Sequence, residues 1–133
     1  MKGRVLMADD DPSLLQCFAA FLERENFEVQ TVSSAASAIE ALGCGEFDLV
    51  ITDMSMETQT AGYDVVRAAQ NQPYQPEVVV FTFSEIPPAE WKKRGVKQLF
   101  NKGQARLSTV SNAINRIFEE LIRRRALLPT GTT

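Results

Sequence analysis

The sequence contains no histidine. This absence excludes Ser-His-Asp and Cys-His catalysis, in which an imidazole acts as the general base. It also excludes histidine as a metal ligand and as the carrier of a phosphoryl group. Any chemistry on this chain therefore depends on Asp, Glu, Lys, Ser, Thr or a bound metal ion.

Cysteines and long apolar runs are also scarce. Cys17 and Cys44 are too few for a disulfide scaffold, and no further thiol or imidazole completes a zinc site with them. No apolar run reaches the roughly 18 residues that cross a bilayer, so we expect no membrane partner. The apolar stretch near the N-terminus soon meets Asp9, Asp10 and Asp11, which does not fit a signal peptide. We expect a cytoplasmic location.

The chain has 133 residues, of which 44% are apolar and 23% are charged, as is typical of one globular domain. Its charges are unevenly distributed. Residues 1–66 hold three basic and 12 acidic residues, whereas residues 67–133 hold 11 basic and five acidic ones. An acidic half favours a cation site and a basic half an acidic partner. Because the opposite charges of the two halves can also cancel each other within one fold, the asymmetry alone does not indicate a partner.

Short apolar runs alternate with amphipathic stretches along the sequence. The runs predict five strands, at residues 4–8, 27–32, 47–52, 78–83 and 96–101. The stretches that follow predict a helix that begins at Pro12 and has apolar residues at helical spacing up to Leu22. Further helices are predicted at residues 35–42, 63–72, 87–95 and 105–128, the first of these capped by Ser33 or Ser34 and ended by Gly43. Strands separated by helices pair in parallel through right-handed crossovers. We therefore predict an α/β fold with one doubly wound sheet of five parallel strands and helices on both faces.

Polar residues follow these strands at the edge where such sheets bind ligands. They are Asp9 and Asp10 after the first strand, Asp53 after the third, Thr82 at the end of the fourth and Lys102 after the fifth. Like charges ~4 Å apart repel by about 4 kcal/mol per pair at an effective dielectric near 20. Mg²⁺ removes this conflict because it takes oxygen ligands from carboxylates and phosphates. Together with a lysine and a hydroxyl it forms a phosphoryl-binding site, in which Asp53 is free to attack as a nucleophile.

Four motifs at the strand ends resemble the receiver domain of two-component response regulators. They are VLMADDDP at 5–12, DLVITD at 48–53, VVVFT at 78–82 and FNK at 100–102. The resemblance covers residues 3–125. It implies the (βα)5 flavodoxin-like receiver fold, with a receiver domain at 1–125 and a polar, disordered tail at 126–133.

The resemblance also implies roles for the polar residues. Asp53 would accept a phosphoryl group from a sensor histidine kinase or a phosphotransfer protein. Mg²⁺ would be held by Asp9, Asp10, Asp53 and the backbone carbonyl of Ser55. Thr82 and Lys102 would bind the phosphoryl oxygens.

A stand-alone receiver is the leading hypothesis, since no output module fits in the rest of this chain. Such a protein would be a phosphoacceptor and not an enzyme that turns over external substrates. It would signal to a downstream protein through the face made by its fourth helix, fifth strand and fifth helix, which is also a candidate homodimer contact. We expect no direct binding of nucleic acid, because no recognisable DNA-binding module is present.

Several positions depart from the family pattern. A large residue, Phe83, follows Thr82 and would crowd the site, and Leu99 stands where the family has an aromatic switch residue. Gly103 replaces the proline after Lys102, and Glu57 replaces a frequent proline in a loop that is one residue longer. These departures motivate an alternative, a pseudo-receiver that acts as a protein-interaction or dimerisation module without phosphorylation.

A third hypothesis is a phosphohydrolase with Asp9 as its nucleophile. The spacing Asp9-x-Asp11-x-Ser13 loosely resembles the nucleophile motif of haloacid dehalogenases. The final acidic metal motif of that family is missing from the sequence. Asp11-Pro12 is also a good helix start, which explains Asp11 as an N-cap.

Overall fold

Strands and helices alternate five times along residues 1–127, the part of the chain that the computed structural model describes. The strands are β1 (Gly3–Ala8), β2 (Phe27–Val32), β3 (Leu49–Thr52), β4 (Glu77–Thr82) and β5 (Gln98–Asn101). The helices are α1 (Pro12–Arg24), α2 (Ala35–Cys44), α3 (Ala61–Gln70), α4 (Pro88–Lys93) and α5 (Leu107–Ala126). The predicted order of elements is confirmed.

The five strands pair in parallel in one sheet, in the order β2-β1-β3-β4-β5. Strand order reverses between β1 and β3, and an open α/β sheet binds ligands beside such a reversal, at the carboxyl ends of its strands. Ala8 pairs with Thr52, and Thr52 pairs with Val80. The last residues of β1 and β3 therefore lie side by side, and the predicted doubly wound, flavodoxin-like fold is confirmed.

Helices cover both faces of the sheet because side chains alternate along each strand. Leu6 of β1 belongs to the apolar cluster that includes α2, α3 and α4, whereas Val5 belongs to the cluster that includes α1 and α5. Leu99 and Phe100 in β5 separate in the same way, as the alternation predicts. Two packed layers thus fix the strand ends from which the polar residues project.

Two helices begin at the predicted caps. The Asp11 carboxylate accepts hydrogen bonds from the N–H groups of Ser13 and Leu14, at 3.0 and 3.3 Å, and Pro12 is the first helical residue of α1. Ser34 Oγ accepts from the N–H of Ser37 at 3.0 Å at the start of α2. Both side chains satisfy N–H groups that a helix leaves without a partner in its first turn.

Element boundaries differ from the prediction by a residue or two. The strand β3 begins at Leu49, after the predicted start at Phe47, and Phe47 is buried in the core ahead of the strand. Gly43 was predicted to end α2 but lies inside it, and Gly45 is the residue at which the chain leaves the helix. Phe83 was predicted to end the fourth strand, but it lies beyond β4 and is exposed.

The structure describes only part of the predicted C-terminal region. Helix α5 reaches Ala126. Residues 128–133, which include most of the predicted tail, lie outside the described residues. Among the described residues, none of the helices combines the length and the apolar character that crossing a bilayer requires.

Candidate functional site

Asp9 and Asp10 follow β1 directly and differ in their surroundings. Asp9 is buried, and its carboxylate accepts hydrogen bonds from Lys102 Nζ at 2.6 Å and from the backbone N–H of Asp11 at 3.0 Å. Burial raises the pKa of the Asp9 carboxyl above its usual value, and the hydrogen bond from Lys102 opposes this shift. Asp10 is exposed. The pair therefore offers one carboxylate fixed inside the crevice and one at its rim.

Asp53 follows β3 and is held by both of its carboxylate oxygens. Oδ1 accepts from the backbone N–H of Met54 at 2.7 Å, and Oδ2 accepts from Lys102 Nζ at 3.0 Å. The backbone N–H of Asp53 donates to the carbonyl oxygen of Ala8 at 2.9 Å, which extends the contact between the ends of β1 and β3. The side chain is 9% exposed, so Asp53 is fixed and yet reachable from solvent.

Lys102 joins the two buried carboxylates. Its side chain is 5% exposed, and its Nζ forms salt bridges with Asp9 and Asp53. Burial disfavours the charged amine, but the hydrogen bonds to Asp9 and Asp53 outweigh that effect, so the pKa of Lys102 is raised above its usual value. Lys102 therefore stays cationic at neutral pH, next to a carboxylate that faces the crevice.

Three carboxylates come together at this point. Oxygens of Asp9, Asp10 and Asp53 all lie within 4.8 Å of one another. The single ammonium group of Lys102 neutralises only one of the three negative charges, which leaves a strongly negative crevice. Mg²⁺ fits this donor set, because it is a hard cation that prefers carboxylate oxygens and carries two positive charges.

The other two predicted site residues are also at the carboxyl edge of the sheet. Thr82 is the last residue of β4; its side chain is buried, and its Oγ1 accepts from the N–H of Ser84 at 3.2 Å. Ser55 lies in the loop after β3, where its hydroxyl donates to the carbonyl oxygen of Gln59 at 3.2 Å. Ser55 and Ser84 line the same cleft, on the α3 and α4 side of Asp53.

Comparison with known proteins identifies the family to which this chain belongs. The family model for the response regulator receiver domain matches residues 5–113, which is most of the chain. The chain belongs to this family. It is a receiver domain of the kind found in two-component response regulators.

Relatives with related sequences are transcriptional regulators that are much longer than this chain. The transcriptional regulatory protein GlrR of Escherichia coli (strain K12) is 31% identical over 87 residues, which are 65% of this chain and 20% of that protein. The alginate biosynthesis transcriptional regulatory protein AlgB of Pseudomonas putida is 35% identical over 89 residues, which are 66% of this chain and again 20% of the relative. The matched part of this receiver domain thus spans a fifth of the relatives' length.

Solved structures share the fold at low sequence identity. The receiver domain of the Francisella response regulator 1452 superposes with a TM-score of 0.80 at 16% identity, over 90% of this chain and 98% of that one. TrrA of Thermotoga maritima, a response regulator solved in complex with Mg²⁺-BeF, superposes with a TM-score of 0.74 at 18% identity, over 86% and 97% of the two chains. These structures confirm the receiver fold.

Gly62 lies against the backbone of the loop that carries Asp53, a contact that no pattern in the sequence predicted. A Cβ atom at Gly62 would lie 2.3 Å from the backbone oxygen of Asp53 and 2.7 Å from the Cα of Met54. The N–H of Gly62 donates to the carbonyl oxygen of Met54 at 2.8 Å. Only glycine allows α3 to approach the backbone of Asp53 so closely.

Glu57 has a contact that explains its departure from the family pattern. Its carboxylate accepts from the N–H groups of Ala35 and Ala36, at 2.7 and 3.0 Å, at the first turn of α2. These backbone hydrogen bonds lower the pKa of Glu57 below its usual value. The longer loop after Asp53 is thereby attached to the N-terminus of α2, where a negative charge is favourable.

Proposed function

We propose that this receiver domain accepts a phosphoryl group on Asp53 in a Mg²⁺-dependent reaction. The donor would be a phosphohistidine of a sensor histidine kinase or of a phosphotransfer protein. The observation that carries the proposal is the salt bridge between Lys102 Nζ and Asp53 at 3.0 Å, inside a cluster completed by Asp9 and Asp10. A carboxylate, a fixed cation and a divalent-cation site are the parts that phosphoryl transfer requires.

Asp53, Lys102 and Thr82 have different roles in the phosphoryl transfer. An oxygen of the Asp53 carboxylate attacks phosphorus, the bond from phosphorus to the histidine nitrogen breaks, and that nitrogen keeps the electron pair. Lys102 moves from pairing with the Asp53 carboxylate to binding a phosphoryl oxygen, and the Thr82 hydroxyl donates to another. No side chain of this chain needs to act as a base, because a carboxylate oxygen has no proton to lose when it attacks.

Mg²⁺ would be held by Asp9, Asp10, Asp53 and the backbone carbonyl of Ser55. When bound, it would neutralise the negative charge of the carboxylates and of the incoming phosphoryl group. Of these ligands, the three carboxylates already lie within 4.8 Å of one another. Asp9 stays fixed by Lys102 and by the backbone N–H of Asp11, so the cluster needs little rearrangement to bind the ion.

Signalling would use the face of α4, β5 and α5. Lys97, next to β5, is 3.4 Å from Glu120 of α5, and Leu99 packs against the cluster that includes Trp91 of α4. A change near Thr82 at the end of β4 can reach this face through β5, because Thr82 pairs with Asn101. A downstream protein or a second copy of the chain would bind there. The stand-alone state expected from the sequence stays a prediction.

One departure from the family pattern favours a second candidate, the pseudo-receiver. Leu99 replaces the aromatic switch residue, and it is only partly buried against the core. A receiver without that switch can keep the fold and bind partners in one constant state. The two candidates differ in one measurable property, the ability of Asp53 to take a phosphoryl group.

Intact-mass spectrometry after incubation with Mg²⁺ and acetyl phosphate tests the proposal. We expect a gain of about 80 Da, one phosphoryl group, that requires Mg²⁺ and is absent in Asp53→Asn. Asp64→Asn is the matched control, because Asp64 is an exposed aspartate on α3 that pairs with Arg67, and it should gain the same mass as the wild type. A wild-type chain that gains no mass would instead support the pseudo-receiver.

A further inference from the structure

Phe83 is the most exposed aromatic side chain among residues 1–127, with 71% of its surface accessible. It follows Thr82 directly, at the carboxyl end of β4. Its ring lies 5.5 Å from Lys102 Nζ, and the ring of the buried Phe81 lies 5.8 Å from the same atom. Both distances are within the range of a cation–π contact. An apolar residue of this size is thus held beside the ammonium group of the proposed site.

The loop after β5 lies beside this ring. A Cβ atom on Gly103 would lie 3.9 Å from the ring of Phe83 and 3.2 Å from the side-chain oxygen of Asn101. The N–H of Gly103 donates to that oxygen at 2.8 Å, a bond that a proline at 103 could not make. Asn101 Nδ2 in turn lies 3.5 Å from the carbonyl oxygen of Phe83. Phe83 and Gly103 are therefore neighbours, and Asn101 contacts the backbone of both.

Lys102 is nearly inaccessible although it lies at the rim of the sheet. Its side chain is 5% exposed, with Asp9 and Asp53 as its ionic partners and the rings of Phe81 and Phe83 as its apolar neighbours. Of these four neighbours, only Phe83 is exposed. The solvent-facing cover of Lys102 is therefore the ring of Phe83.

We propose that Phe83 is a positioning residue that screens Lys102 and the phosphoryl group on Asp53 from water, and so prolongs the lifetime of the phosphorylated state. This inference rests on the proposed function of Asp53. In the hydrolysis that Phe83 slows, a water oxygen attacks phosphorus and the bond from phosphorus to the Asp53 oxygen breaks. The carboxylate keeps the electron pair, phosphate leaves, and the water proton passes to phosphate or solvent.

The lifetime of the phosphorylated protein tests this inference. The protein is phosphorylated with acetyl phosphate and Mg²⁺, the donor is removed, and the decay of the adduct is followed by intact mass. We expect Phe83→Ala to lose its phosphoryl group about three- to tenfold faster than the wild type, tenfold being about 1.4 kcal/mol of barrier. Phe83→Tyr keeps the ring and should decay at the wild-type rate. Ile122→Ala, which trims an exposed apolar residue of α5, should also leave the rate unchanged.

A second readout does not depend on phosphorylation. The unphosphorylated protein is treated with an amine-acetylating reagent, and the modification of each lysine is mapped by peptide mass spectrometry. In Phe83→Ala we expect more acetylation of Lys102 relative to the exposed Lys92 and Lys93 than in the wild type. This readout reports the screening itself and not the stability of the fold.

The possible outcomes are distinguishable. A wild-type chain that takes up no phosphoryl group would refute the proposed function, and with it the effect on lifetime. Equal decay in the wild type and Phe83→Ala would overturn the inference while leaving Asp53 as the acceptor. Unchanged acetylation of Lys102 in Phe83→Ala would show that Phe83 does not screen it.

Discussion

At the scale of single residues, the site depends on close approaches that leave no room for a side chain. Gly62 lets α3 begin against the backbone of Asp53 and Met54, the segment that carries the proposed acceptor. Atoms of the backbone cannot move aside as the end of a flexible side chain can. A methyl group at Gly62 would therefore displace the segment that carries Asp53 or the start of α3.

We expect Gly62→Ala to lower the free energy of unfolding by about 1–3 kcal/mol, the usual cost of forcing extra atoms into a packed region. Denaturation by urea measures this change. Gly43→Ala is the control, because a Cβ atom at Gly43 meets nothing within 4 Å and Gly43 lies inside α2. That variant should be neutral or stabilised by up to about 1 kcal/mol. Equal stability of the two variants would contradict the role given to Gly62.

Residues of this kind mark the limit of prediction from the sequence. Asp9, Asp53 and Lys102 could be identified because each follows an apolar run and parallel strand ends meet at one edge. Gly62 and the pairing of Phe83 with Gly103 could not be identified in this way. They depend on distances across loops, between residues that are not neighbours in the chain, which no helix or strand periodicity contains.

At the scale of elements, the loop after β3 connects the acceptor to α2. Glu57 in this loop caps the first turn of α2 through Ala35 and Ala36. The sequence predicted Ser33 or Ser34 as the cap of α2, and the structure shows Ser34 in that role. The Glu57 carboxylate accepts from two further N–H groups of the first turn, which a helix leaves without a partner in its own backbone. A carboxylate 22 positions away along the chain could not be assigned to that turn from the sequence.

We expect Glu57→Gln to lower the free energy of unfolding by about 0.3–1 kcal/mol at pH 7, the size of a charge effect at an exposed helix N-terminus. The pKa of Glu57 is lowered in the folded state, so its contribution is complete above the unfolded-state pKa and is lost as the pH falls through the folded-state pKa. The difference in free energy of unfolding between the wild type and Glu57→Gln should therefore disappear in acid. Thermal unfolding across this pH range provides the measurement.

Glu40→Gln serves as the control for this element, since Glu40 is an exposed carboxylate on the same helix. It should leave the pH dependence of unfolding close to that of the wild type. A Glu57→Gln protein that matches the wild type at pH 7 would contradict the capping role of Glu57.

At the scale of the whole molecule, charge and topology combine at one edge of the sheet. The acidic residues of the site come from the first half of the chain and Lys102 from the second. The fold brings them together because β1, β3 and β5 all end at this edge. Arg125 of α5 and Asp48, 2.5 Å apart, join the two halves again at another place. The uneven charge along the sequence is thus partly paired in the fold.

The remaining negative charge in the crevice predicts that Mg²⁺ stabilises the protein. At a concentration ten times its Kd, Mg²⁺ should raise the free energy of unfolding by about 1.4 kcal/mol, and a chelator should reverse the effect. Asp10→Asn removes the exposed carboxylate of the proposed Mg²⁺ site and should greatly reduce this increase, whereas Asp64→Asn should keep it. Differential scanning calorimetry with and without Mg²⁺ measures both. If Mg²⁺ raises the free energy of unfolding of Asp10→Asn as much as that of the wild type, the ion binds at another site.

The position of the phosphoryl group is the most direct test of the account. After incubation with acetyl phosphate and Mg²⁺, treatment with borohydride reduces an aspartyl phosphate to homoserine, which peptide mass spectrometry locates. We predict homoserine at position 53 alone, and none without Mg²⁺. Homoserine at position 9 would instead indicate the phosphohydrolase chemistry of the third hypothesis, and no homoserine in a fully folded protein would contradict the assignment of Asp53 as the acceptor.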